Sequence, residues 1–321
     1  MSDWESTRQL KYDSNEQFDK LNDPLSSSID QTVDDSSEPA IHATGLTKQF
    51  GTTTVVDGVD LTVEPGTVYG FLGPNGAGKT TTMRMLTTLT APTDGEAEIM
   101  GASVTDRDGV RSNLGYLPEE PPVFDELTGH EQLQYVARLR DIPADEADDR
   151  IADWLDRFDL TDDAGKRIDD YSKGMRQKIG LIGALLHEPP VVFLDEPTSG
   201  LDPRAARTVL DVIGELTDNG QTVFLSTHIL SVVEELADTV GVLFDGELVA
   251  EGPPAELVAQ VDADSEDHGS TLEDVFLAVT TGSRATDSHR PDPRGRESTA
   301  PEAENGEIAT ESAVDDGSTG Q

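Results

Sequence analysis

An α/β fold built on a mainly parallel β-sheet is what the sequence predicts, and three observations carry that expectation. The apolar run Val68-Tyr69-Gly70-Phe71-Leu72 leads directly into the glycine-rich octet Gly73-Pro74-Asn75-Gly76-Ala77-Gly78-Lys79-Thr80. Short apolar runs at 191–194, 222–225 and 240–244 then alternate with amphipathic stretches opening at Lys79, Pro203 and Ile229. That is the rhythm of strand, crossover helix and parallel strand. Between about Thr128 and Tyr171 the pattern changes to helices alone, so an α-helical insert interrupts the core.

Taken in order, residues 1–40 are rich in Ser, Asp and Glu and show no apolar periodicity. Such a stretch buries too little surface to offset its ordering entropy and is expected to be a disordered acidic tail. Alternating segments follow, Thr53–Val63 among them, and read as an antiparallel strand group. The octet comes next. Its G-x-x-x-x-G-K-[ST] spacing lets glycines curl the backbone so that successive N–H groups converge on phosphate oxygens at a helix N-terminus. Lys79 adds a point charge and Thr80 a hydroxyl for Mg2+, which makes the chain a nucleotide-binding protein. In the insert, Thr128 with Glu131 forms a capping box, and Ile151, Trp154, Leu155 and Phe158 fall on one helical face. Met175, Ile179, Ile182 and Leu186 share a face of the helix after Ser172. Residues 282–321 resemble the first forty in composition, and no internal repeat is visible.

Charge is the compositional outlier. The 321 residues carry 64 acidic and 23 basic side chains, a formal net charge of −41. The two tails account for −7 and −5, so −29 sits on residues 41–281. Self-repulsion of that size destabilises a compact state where the Debye length is about 10 Å and fades at roughly 1 M salt, where it is about 3 Å. Seven Lys against sixteen Arg points the same way, and adaptation to concentrated salt is expected. The excess of acid also speaks against a nucleic-acid partner, since duplex binding draws on phosphate neutralisation by Lys and Arg. With no cysteine, disulfides and thiolate chemistry are excluded. The N-terminus has neither a basic start nor an apolar stretch, and no window approaches about eighteen apolar residues, so a cytoplasmic polypeptide is expected.

The run Val191-Val192-Phe193-Leu194-Asp195-Glu196-Pro197 ends an apolar strand in two adjacent carboxylates. This Walker B pattern suits Asp195 to Mg2+ and Glu196 to the attacking water. Ahead of it, Tyr171-Ser172-Lys173-Gly174-Met175-Arg176-Gln177 opens a helix. A capping serine with free N–H groups makes an anion site, although Ser172 read alone is an ordinary N-cap. Ser199-Gly200-Leu201-Asp202 and Ser226-Thr227-His228 follow, with Asp202 placed to cap the helix that Pro203 starts.

In this order the motifs resemble those of ATP-binding cassette (ABC) ATPases, over residues 41–252. The resemblance implies a P-loop NTPase core with an antiparallel β subdomain and a helical insert at about 118–171. A C-terminal helical extension at 253–281 and a disordered tail at 282–321 would follow. It implies ATP and Mg2+ as ligands. Phe50 would stack on adenine, although a core aromatic fits the position nearly as well. Gly73, Pro74, Asn75, Gly76, Ala77, Gly78, Lys79, Thr80 and Thr81 would hold the phosphates, Ser172 and Gly174 would act across a dimer, and Asp202 of the D-loop would join the nucleotide site. Thr80, Asp195 and Glu119 would hold the metal, Glu196 would act on water, and His228 would sense the γ-phosphate. Two departures stand out: Lys173 and Met175 replace the usual Gly and Gln of the signature, and Glu119 stands where the lid loop usually carries Gln. A carboxylate ligates Mg2+ but cannot donate a hydrogen bond as an amide does.

The family reading implies a homodimer of cassettes, or pairing with a second cassette subunit, under a separately encoded membrane permease. The chain would then sit on the inner face of the membrane. Thr271-Leu272-Glu273-Asp274-Val275-Phe276-Leu277-Ala278-Val279 resembles the tail of export-type cassettes, and Leu272, Val275, Phe276 and Val279 also read simply as a docking face. The competing reading is a soluble ABC ATPase of translation or DNA repair, which would usually carry two cassettes or a basic surface.

Overall fold

The structure, a computed structural model, describes residues 38–264 and 270–278. The stretches expected as disordered tails lie outside the described residues, except for Glu38, Pro39 and Ala40, as does Val279. In chain order the elements begin with β1 (Ile41–Phe50), β2 (Thr53–Val63), β3 (Val68–Leu72), α1 (Lys79–Leu86), β4 (Asp94–Ile99) and β5 (Ala102–Ser103). They continue with α2 (Arg107–Asn113), β6 (Leu114–Leu117), α3 (Gly129–Leu139), α4 (Ala144–Arg157) and α5 (Lys173–Leu185). Then come β7 (Val191–Asp195), α6 (Pro203–Asp218), β8 (Thr222–Thr227), α7 (Leu230–Leu236), β9 (Thr239–Phe244), β10 (Glu247–Gly252) and α8 (Pro254–Asp264). Residues 272–278 form a last helical segment, α9.

Two sheets result. One is antiparallel, in the order β2-β1-β4-β5. The other runs β10-β9-β3-β8-β7-β6 and is parallel except for β10. The sequence reason is legible in β7, where Val191 and Phe193 enter one apolar cluster and Val192 and Leu194 another. A strand covered on both faces must be apolar at every position, which is why β3, β7 and β8 read as unbroken runs. In β1, by contrast, exposed His42 sits between fully buried Ile41 and Ala43, the alternation of a sheet with one wet face.

Phe224 of β8 is the hub of one cluster, with Tyr69, Phe71 and Phe193 rings at 5.2, 5.2 and 5.3 Å. Burying each such ring stabilises by roughly 1.5–3 kcal/mol. On the opposite face Leu133, Ile151, Leu155, Phe158, Ile179 and Ile182 from α3 to α5 join Val192, Leu194 and Leu225 in a single core. Thr128 caps α3 through the expected reciprocal bonds with Glu131. The C-terminal helices close a third cluster in which Leu257, Leu272 and Val275 meet Val233, Val240 and Val242.

One helix starts later than expected. Ile229 is the N-cap of α7 rather than its first residue, because its N–H is held by Thr227 Oγ1 at 3.1 Å and keeps the chain extended for one more step.

Candidate active site

A cavity of about 300 Å3 opens beyond the carboxyl ends of β3, β7 and β8, the edge of a parallel sheet where open α/β folds gather their ligands. Six residues of the octet line it, all but Gly73 and Ala77. Gly78 has φ +109° and precedes α1 directly, and a Cβ there would lie 2.7 Å from Val55 O, so both conformation and space demand glycine. Lys79 is nearly buried, and its Nζ donates to Gly73 O at 2.7 Å and Pro74 O at 3.3 Å. Burial lowers its pKa, while Glu196, Asp195 and Glu119 act in the opposite direction.

Next to Lys79, Thr80 Oγ1 donates to Asp195 Oδ2 at 2.9 Å. Burial raises the Asp195 pKa above the ordinary carboxylate value, against the hydroxyls of Thr80 and Ser226. A buried acid with a hydroxyl beside it is short of positive charge. Among the described residues no three His, Cys, Asp or Glu side chains gather into a cation cage. Mg2+ commonly binds through one or two carboxylates plus phosphate oxygens and waters, so Thr80 and Asp195 beside a phosphate loop fit that ion.

Glu196 is held more tightly than its neighbour. Its φ of +50° lies in the left-handed region, costly for a residue with a side chain, and its N–H donates to Ser226 O at 2.9 Å. Thr227 Oγ1 donates to Glu196 Oε2 at 3.2 Å, and His228 Nδ1 lies 2.7 Å from Oε1. A carboxylate fixed on both oxygens at a cavity wall is oriented for taking a proton from water.

The cavity lining brings together Pro74, Asn75, Gly76, Gly78, Lys79, Thr80, Thr81, Glu119, Asp195, Glu196 and His228. Phe50, Gly73, Ala77, Ser172, Gly174 and Asp202 do not line it. Phe50 is 54% exposed, with Lys48 Nζ 5.1 Å from its ring centre, which removes the core-aromatic alternative. Ser172 caps α5 by accepting from Met175 N, and Asp202 caps α6 by accepting from Arg204 N and Ala205 N, both at 3.0 Å. Three residues of the quoted motifs carry no expected role and yet contact Glu196: Thr227, Gln177 and Ser199. Each sits inside a motif that was read, but only coordinates reveal their contacts to the turn after β7.

Known proteins can be set against this geometry. A family model described as ABC transporter matches residues 56–199. The daunorubicin resistance ATP-binding protein DrrA3 of Streptomyces coeruleorubidus is 41% identical over 232 residues, which is 72% of this chain and 73% of that protein. The chain belongs to the ABC transporter ATPase family. The bacitracin transport ATP-binding protein BcrA of Enterococcus faecalis is 40% identical over 222 residues, 68% of this chain and 71% of that one. The solved ATP-binding subunit of an ABC transporter superposes with a TM-score of 0.70 at 30% identity, spanning 75% of this chain and 99% of that one. A cassette solved as a post-hydrolysis dimer with ADP and Pi shares the fold, with a TM-score of 0.62 at 23% identity over 66% of this chain and 98% of that one. This ABC chain is thus an ATPase. No helix among its described residues is long and apolar enough to cross a membrane.

Proposed function

We propose that this ATPase works as one half of a head-to-tail pair of cassettes and drives export through a separate membrane permease. The observation that carries the pairing is the division of the expected phosphate ligands. Lys79, Thr80 and Glu196 share one cavity, while the Ser172 end of α5 lies outside its lining. A second copy would supply Ser172, Gly174 and Asp202 to the first copy's triphosphate, and a two-fold axis makes the exchange mutual. Export is supported by relatives whose names concern daunorubicin resistance and bacitracin transport.

Within each pocket the loop amides and Lys79 bind and orient the triphosphate, and Phe50 offers an exposed ring to adenine. Thr80 and Asp195 would hold Mg2+, with Glu119 at the rim, and the ion when bound neutralises charge on the phosphates. Glu196 accepts a proton from water as the water oxygen attacks the γ-phosphorus and ADP leaves. His228 and Thr227 keep the Glu196 carboxylate aimed. Residues 41–252 would form the ATPase domain, with 118–171 as its helical insert and 253–281 as an extension. The −41 charge is read as adaptation to concentrated salt, and attachment to the inner membrane face would be through the permease.

Glu196→Gln tests the assignment, since an amide cannot take the proton. The variant is expected to bind ATP normally and to lose turnover by about 100-fold or more. Wild-type hydrolysis by this variant would remove Glu196 from the role of base.

A further inference from the structure

The strained turn that carries Glu196 is gripped from within its own chain by α5. Glu196 O accepts from Ser199 N at 3.0 Å and from Gln177 Nε2 at 3.3 Å. Gln177 is 1% exposed and projects from the second turn of α5. Ser199 is in turn held from the same helix, because Lys173 Nζ donates to Ser199 Oγ at 3.2 Å. The Lys173 stem also covers Gly200: a Cβ on that glycine, whose φ is +75°, would lie 2.8 Å from Lys173 Cδ. Gly174 backs onto the same loop, its would-be Cβ 3.3 Å from Gly200 O. One helix therefore reaches the Glu196 carbonyl twice, directly through Gln177 and indirectly through Lys173 and Ser199.

We propose that Lys173 and Gln177 are positioning residues for Glu196, and that α5 sets the aim of this carboxylate through these two ties. A left-handed, non-glycine residue persists only where its surroundings over-determine it. Here the carboxylate end is fixed by Thr227 and His228, the backbone N–H by Ser226 O, and the backbone carbonyl by α5. The inference rests on Glu196 as the base. It also gives the departure at Lys173 a task, since a glycine at that position has no side chain with which to hold Ser199. In the paired form the triphosphate bound by one copy sits against α5 of the other. The same ties then pass its arrival to the base of the chain that owns the helix.

Lys173→Met and Gln177→Met keep side-chain length and remove the donors. Measured with ATP in the full-length protein, kcat should fall about tenfold or more for Gln177→Met, as expected for misaligned reacting groups, and a few-fold for Lys173→Met. KM for ATP should stay at the wild-type value, and Lys173→Arg should restore kcat. Neither substitution should lower the residual turnover of a Glu196→Gln chain further, because the group they aim has gone. Lys173 is exposed, so its variant remains readable even if Gln177→Met unfolds the core. If Glu196→Gln is inactive while Lys173→Met turns over at the wild-type kcat, the tie through Ser199 is refuted and the base assignment survives. If Glu196→Gln itself remains active, the base assignment falls and the positioning role falls with it.

Discussion

Two side chains show how burial turns into measurable behaviour. His187 Nε2 donates to Leu114 O at 3.0 Å, and its buried Nδ1 has no hydrogen-bond partner among the described residues. Burial, together with the positive charges of Arg140 and Arg150, lowers its pKa from the ordinary 6.5 to about 4. Between those values the unfolded chain binds a proton that the folded chain does not, so folding stability falls as pH drops from about 6.5 towards 4. Denaturant unfolding at pH 7 and pH 5 should show the loss, and His187→Gln, which keeps a donor, should flatten it. Equal slopes in the two proteins would remove His187 as the cause. Asp195 is destabilised by its own burial. Asp195→Asn should therefore raise the thermal midpoint of the nucleotide-free protein while reducing turnover, the usual opposition of stability and function at a charged site. A lowered midpoint would contradict this account of Asp195.

Elements explain what the sequence could and could not disclose. Strands covered on both faces, such as β3, β7 and β8, announced themselves as apolar runs, and Thr128, Ser172 and Asp202 marked helix starts by capping chemistry. Asp202 accepts from two backbone N–H groups, so Asp202→Ala should lower the midpoint of denaturant unfolding. A wild-type midpoint would show that α6 needs no side-chain cap. The sheet-edge strand β6 escaped notice because four residues, Leu114–Leu117, are too few to establish a period. β5, with two residues, and α2, with seven, are also short. At the site, motif spacing gave the phosphate loop and the paired carboxylates. The grip on Glu196 stayed hidden, since Gln177 reaches its carbonyl from another element, the Ser199 bond closes a local turn, and neither contact leaves a periodic trace.

The whole molecule is governed by charge and, under the proposed pairing, by a phosphate site that needs a second copy. The net −41 predicts that the thermal midpoint rises steeply from low to molar KCl as repulsion is screened. A flat or falling curve would set aside adaptation to salt. Light scattering on Glu196→Gln at molar KCl, with and without saturating ATP and Mg2+, tests the pairing most directly. A monomer without nucleotide and twice that mass with ATP is the predicted result, and a monomer with its pockets saturated would contradict the shared site.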